Sequence, residues 1–324
     1  MVFGLSHNPK PDDYVQGFQL ENKVAQGRLV RLGDTINQVL KTRDYPPEVA
    51  VLLGEIQVIA GLMAGVLKFK GVLSIQIKSD GAVTMLMVDV TNEGAMRGLA
   101  KFDLEKLEEL SQNLSRGPQN SVPRFLGNGY FVLSVDQGAG SNPYQGVIEL
   151  EGATLSECAQ KYLSQSAQID AVLKVVVSKN QGKGGSNWRG GGLMLQKLVP
   201  TGRQSMSGES GKLELEDCWR RAVIFLGSCT NEELLDSNLH PHDILYRLFS
   251  EDGVRVFNIS SLFMKCRCSI DKIKNVLASF PREEVETMKI NGEVRVNCEF
   301  CNVDYIFSEE HIAALFKESN SYLD

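Results

Sequence analysis

Two short runs near the C-terminus, Lys265-Cys266-Arg267-Cys268-Ser269 and Asn297-Cys298-Glu299-Phe300-Cys301, hold four of the chain's seven cysteines within its last 59 residues. The pattern is C-x-C, a spacer of 29 residues, then C-x-x-C. Four chemistries fit it: two disulfides, a metal centre, a reactive redox pair, or four core residues that happen to be close. Four thiolates fill a tetrahedral Zn²⁺ shell without histidine. A C-x-x-C turn aims both sulfurs at one ion, and Asn302, just after Cys301, tolerates the left-handed backbone such turns often need. In an extended segment residues i and i+2 face the same side, so Cys266 and Cys268 can reach the same ion.

The segment around these thiols, residues 258–324, carries few large apolar side chains. A module this small usually needs a staple, and structural zinc supplies on the order of 10 kcal/mol. Four ordinary core cysteines would not explain two paired spacings beside so thin a core. The expectation is one Zn²⁺ per chain, held by Cys266, Cys268, Cys298 and Cys301. The same thiolates can be oxidised, since a C-x-x-C pair closes readily to a disulfide. Lys265 and Arg267 would favour the first pair's thiolates, or are simply solvated surface charges. The residues permit a metal-dependent module that unfolds on oxidation, without showing that this happens.

Within this module "SIDKIKNVLASF" (269–280) carries Ile270, Ile273, Val276, Leu277 and Phe280 on one helical stripe. "PREEVETM" starts a second short helix with Pro281 near its first position. "GEVRVNCEFCNVDYIFS" (292–308) reads as a hairpin with the C-x-x-C at its turn, and Ser308 can cap a last helix, "EEHIAALF". Upstream, residues 14–67 read as helical after a short strand-like start, with Tyr45-Pro46-Pro47 separating two helices. The period then changes to two. "GVLSIQIKSDG" (71–81) and "AVTMLMVDV" (82–90) form a hairpin turning at Asp80-Gly81. Further strands follow at 127–137, 144–152, 171–180 and 191–199, and an amphipathic helix at 154–166 is capped by Thr154. The glycines of "QGKGGSNWRGGG" supply the loop between the last two strands.

Helices and antiparallel hairpins in blocks make the fold class α+β. An N-terminal α+β domain covers 1–200, and "PTGRQSMSGESG" (200–211) reads as linker. The region 201–257 is a helical linker: Leu215, Cys218, Trp219, Ala222, Val223 and Leu226 share a face, Thr230 and Glu233 form a capping box, and 242–249 is a short helix. Such short helices need a surface to lie against. The small four-cysteine zinc-binding domain is 258–324.

At 324 residues, 43% apolar and 23% charged, the chain can bury a large core without disulfides. Its net charge of −6 argues against nucleic acid as the main partner. Its apolar runs are too short to cross a bilayer, and "VIAGLMAGVL" (58–67) reads as a buried helix. "MVFGLSHNPKPDDY" has no signal-peptide pattern, so the protein is expected in the cytoplasm, where thiols stay reduced. Cys158, Cys218 and Cys229 lie in or beside apolar helical stretches and read as structural. His240 and His242 mark a helix start, and His311 reads as a helix residue beside an already complete thiolate shell. No nucleophile–base pairing stands out, so no enzyme is expected. Two other readings stay in view. A zinc ribbon binding nucleic acid lacks a basic face, because residues 266–301 hold six acidic and six basic side chains. A thiol oxidoreductase using "CEFC" would need a thioredoxin-like βαβ setting.

At these residues the chain resembles the heat shock protein 33 family of redox-regulated chaperones. In the C-terminal module the resemblance rests on "KCRCS", the spacer with "FPREEVETM", and "CEFCNVDYIFS". Upstream it rests on "RDYPPEV", "LKFKGVLSIQIKSDG", "MRGLA", "LGNGYFVLSV", "YQGVIELEG", "EELL" and "DILYRLFSEDGVRVF". It implies a stress-response holdase that works without ATP. The reduced, zinc-bound form is inactive. Oxidation joins Cys266–Cys268 and Cys298–Cys301 as disulfides, with Cys298 and Cys301 sensing peroxide first. Zinc leaves, the 201–257 linker loses structure, and the chain dimerises and holds unfolded client proteins. Asn302 stands where the family commonly has glycine, and the 186–192 loop and 201–210 linker differ from better-known members.

Overall fold

The structure, a computed structural model, describes residues 12–66, 69–112, 121–138, 144–182, 185–198 and 209–320. It divides into two compact units, Met1–Met264 and Lys265–Asp324. Most of the expected 200–211 linker lies outside the described residues.

The first unit opens with strands β1 (Tyr14–Leu20) and β2 (Ala25–Leu32), then helices α1 (Asp34–Leu40) and α2 (Pro47–Ala64). The expected short strand-like start is thus a full hairpin of two strands, reaching Leu32 where helix was expected. The burial of β1 alternates strictly, with Tyr14, Gln16, Phe18 and Leu20 inward, the period-two signature of a half-buried strand. Strands β3 (Val72–Ser79), β4 (Val83–Thr91) and β5 (Ala95–Phe102) follow, then helix α3 (Leu104–Gln112) and one π-helical turn at Val122–Leu126. Strands β6 (Gly129–Asp136) and β7 (Tyr144–Glu149), helix α4 (Leu155–Gln165), and long strands β8 (Ala171–Gly182) and β9 (Gly185–Lys197) complete the scaffold. Thr154 caps α4 through the Glu157 amide, as its sequence suggests. Helices α5 (Glu209–Ser228), α6 (Asn231–Leu235) and α7 (Pro241–Phe249) come next, then strands β10 (Val254–Ser261) and β11 (Phe263–Met264).

Two mainly antiparallel sheets result, ordered β10-β1-β2-β9-β8 and β11-β5-β4-β3-β6-β7, in which only β11 runs parallel to its neighbour. Helix α2 touches strands of both sheets. It is apolar nearly all round and long enough to cross a membrane, but 72% of it is buried inside the protein, as befits a core helix. The "GGG" at Gly190–Gly192 lies within β9 and is no loop. A Cβ on Gly190 or Gly192 would sit 2.7 or 2.5 Å from Val58 of α2, and one on Gly191 would sit 2.6 Å from the Leu234 carbonyl of α6. Glycine here lets a helix approach each face of the strand.

The far face of the first sheet has its own core. Phe18, Leu20, Leu29, Leu193 and Leu195 meet Ala222, Leu226, Leu234, Ile244, Leu248 and Phe249 of the three helices, and Phe18 stacks on Phe249 at 5.6 Å. Thr230 and Glu233 form the expected capping box, and His240 caps α7. Fully buried Arg31 of β2 donates to the carbonyls of Glu233 (2.8 Å), Leu234 (3.2 Å) and Leu239. The helices of 209–249 are therefore a lid on an apolar sheet face, held by packing and by one buried guanidinium.

In the second unit helices α8 (Ile270–Ala278) and α9 (Arg282–Thr287) precede the hairpin β12 (Val294–Asn297) and β13 (Asp304–Phe307), and helix α10 (Glu309–Asn320) ends it. Its buried core among the described residues is Leu277, Val285, Val294, Phe307 and Ile312. Of the expected stripe, Leu277 is buried and Ile273 packs beside it, whereas Ile270, Val276 and Phe280 are exposed.

Candidate metal centre

Cys266 and Cys268 lie just before α8. Ser269 caps that helix by accepting from the Lys272 amide at 3.3 Å, and the Lys272 ammonium donates to the Arg267 carbonyl at 2.8 Å. Cys298 and Cys301 occupy the turn between β12 and β13. The Asn302 amide donates to the Cys298 carbonyl (2.8 Å) and the Cys298 amide to the Val303 carbonyl (3.0 Å). Asn302 adopts φ +58°, in the left-handed region. Its side-chain oxygen accepts from Asn297, which also donates to Asp304.

The four sulfurs all lie within 4.8 Å of one another. Cys266 Sγ is 3.7 Å from Cys298 Sγ, and Cys268 Sγ is 3.4 Å from Cys301 Sγ. A Zn–S bond of about 2.3 Å in tetrahedral geometry gives sulfur–sulfur edges of about 3.8 Å, so the cluster has the size of a Zn²⁺ shell. All seven cysteines are free thiols. Burial pushes Cys266 up, but the Cys268 amide and the neighbouring sulfurs outweigh it and bring the thiol down to about 7. Burial, together with neighbouring thiols, pushes Cys268 and Cys301 up. Four sulfurs this close share negative charge poorly without a cation.

Tyr305 of β13, which the sequence reading passed over, donates its hydroxyl to Cys268 Sγ at 3.1 Å, and that bond pushes the phenol up to about 12. The signal was present: strand alternation puts Tyr305 on the same face as Phe307, which is 2% exposed. A phenol on an inward face seeks a partner.

The other cysteines belong to the first unit. Cys158 and Cys229 are buried in the two cores of the first unit, and burial pushes each up to about 11. Cys218 packs partly buried on α5. His240 and His242 pack edge to face at 4.6 Å at the start of α7, and His311 bonds Ser308 at the start of α10. "CEFC" sits in a hairpin turn, not in a βαβ unit.

A family model described as Hsp33 protein matches residues 13–308. A 33 kDa chaperonin of Caulobacter vibrioides is 37% identical over 295 residues, 91% of this chain and 94% of that protein. One of Pseudomonas fluorescens is 34% identical over 309 residues, 94% of each chain. The crystal structure of a 33 kDa chaperonin from Thermotoga maritima superposes with a TM-score of 0.76 at 20% identity, over 95% of this chain and 99% of that one, a likeness of fold.

Proposed function

The chain belongs to the Hsp33 protein family, and from that premise we propose that it is an oxidation-activated holdase that binds unfolded client proteins in the cytoplasm without ATP. The observation that carries this reading is four thiols within 4.8 Å in a unit whose described residues bury a core of five apolar side chains. Cys266, Cys268, Cys298 and Cys301 hold one Zn²⁺ in the reduced state. The ion supplies charge compensation for the sulfurs and the cross-link that the small core lacks.

Oxidation by a peroxide takes two electrons per pair. A thiolate sulfur attacks the O–O bond to give a sulfenic acid and hydroxide, and the second thiolate displaces the sulfenic hydroxyl as hydroxide, closing the S–S bond. Joining Cys266 to Cys268 and Cys298 to Cys301 removes all four ligands, and with them the staple. The segment 201–257 is the element that then lets go. Its helices cover Phe18, Leu20, Leu29, Leu193 and Leu195, so their release uncovers an apolar sheet face of the kind that captures unfolded chains or a second copy.

Bound zinc and free thiols, counted before and after peroxide at raised temperature and set beside suppression of client aggregation, test this. One zinc per chain, lost as four thiols vanish and holdase activity appears, is the expected outcome. Zinc retained after oxidation, or equal activity in both states, reduces the cluster to a structural staple.

A further inference from the structure

Four thiolates on one divalent cation carry a net charge of −2, so the donors around the sulfurs matter. Backbone amides are among them, Cys268 N–H on Cys266 and Val303 N–H on Cys301. These come with the turns themselves. Another is a side chain, the Tyr305 hydroxyl on Cys268 at 3.1 Å. Tyr305 pairs with Val296 in the hairpin ladder and packs its ring against the small core. A rigid ring on a paired strand thus delivers a hydroxyl from the C-x-x-C hairpin to the C-x-C segment.

We propose that Tyr305 is a positioning residue of the thiol centre, holding Cys268 in the ligand set and slowing oxidation of the Cys266–Cys268 pair relative to Cys298–Cys301. This rests on the reading of the cluster as an oxidisable zinc site. A hydrogen bond draws charge from the sulfur, and thiolate attack on an oxidant weakens as that charge is stabilised. With one Cys268 lone pair engaged by an O–H, the sulfur is a weaker nucleophile toward a peroxide O–O bond or a sulfenic sulfur at Cys266. The two pairs are thereby made unequal by one atom of one side chain.

The test uses full-length Tyr305→Phe, which keeps the ring and deletes only the hydroxyl. Val296→Ala, which thins the same hairpin without touching a sulfur, is the packing control. Zinc affinity is read by competition with a chromogenic chelator, and each cysteine's oxidation under graded peroxide by alkylation and mass spectrometry. Tyr305→Phe is expected to bind zinc about tenfold more weakly and to close Cys266–Cys268 earlier relative to Cys298–Cys301, while Val296→Ala keeps the wild-type order. Wild-type affinity and order in Tyr305→Phe overturn the proposal, as does the same change of order in both variants. A wild-type chain that holds no zinc overturns the reading of the site and this proposal together, whereas normal wild-type switching with an indifferent Tyr305→Phe overturns only the role of Tyr305.

Discussion

Asn302 shows how far a single residue can be read. Its position after C-x-x-C and its residue type pointed to a left-handed turn, and the backbone adopts φ +58° there. Tyr305 was missed because a phenol's partner is a matter of strand facing, which residue type alone does not give. Glu55 was missed for a different reason: on a helix whose polar side chains are few, one carboxylate reads as a solvent-facing position. Its Oε2 is instead buried and finds no hydrogen-bond partner among the described residues. Burial pushes the carboxyl up to about 7 from its ordinary 4.5. The folded chain therefore holds this proton more tightly than the unfolded chain. Below 4.5 both states are protonated and the group costs nothing. Stability falls as pH rises from 4.5 through about 7, and above that the full penalty stands, up to about 3 kcal/mol. Glu55→Gln should match wild type in denaturant melts below pH 4.5 and exceed it above about 7. Parallel pH profiles for the two proteins would show that the carboxylate finds compensation on ionising.

Elements were legible where their period was long and unbroken. The β3–β4 hairpin turns about Asp80-Gly81, α4 starts at Thr154, and the capping box at Thr230 lies where the sequence put it. Strand β1 was legible only as a short strand-like start and β2 was hidden by the long apolar pattern after it, while the first half of β9, ahead of the expected strand at 191–199, was hidden by glycines that usually mark loops; Gly190 and Gly191 here admit Val58 and Leu234. Strand β10 escaped notice because most of it is exposed, so its place is set by pairing with β1 and not by an apolar face. What the lid helices lie on was equally invisible, because a short amphipathic helix does not name its partner. Arg31 supplies much of that answer. It is 1% exposed and satisfies three carbonyls in and just after α6. Arg31→Met keeps the apolar stem but strands those three acceptors, costing about 3–9 kcal/mol at roughly 1–3 kcal/mol per unmet buried group. Amides of 231–249 should then exchange faster in the reduced chain while those of β3, β4 and β6 keep their protection. Unchanged exchange across the lid would mean that Phe18–Phe249 and its neighbours hold the helices without the guanidinium.

At the scale of the whole molecule the two units differ in what keeps them folded. The first has one core around α2 and a second beneath the lid, ample for a domain of its length. Among its described residues the second buries five apolar side chains and leaves Ile270, Val276 and Ile290 48–75% exposed. A core that small contributes too little to offset the entropy of ordering its chain, so its folding should depend on the thiol-bound ion, as in small metallo-domains that are unfolded without metal. Stripping zinc from the reduced full-length chain with a chelator should abolish exchange protection in α8, α9 and the β12–β13 hairpin, leaving β3, β4 and β6 near their original protection. Strand β10 is the element between these extremes. Its side chains from Phe257 to Ser261 are exposed, and it is held by its ladder to β1 and by the Gln16 amide on the Phe257 carbonyl at 2.6 Å. It is the edge strand of its sheet, whereas β1 is paired on both sides, and its far end is tied down by buried Leu262 and by β11 on β5, so its amides should exchange faster than those of β1 with or without zinc. Protection retained throughout the second unit after chelation would show that five apolar residues and the hairpin suffice. The thiols would then be needed for chemistry alone and not for the fold.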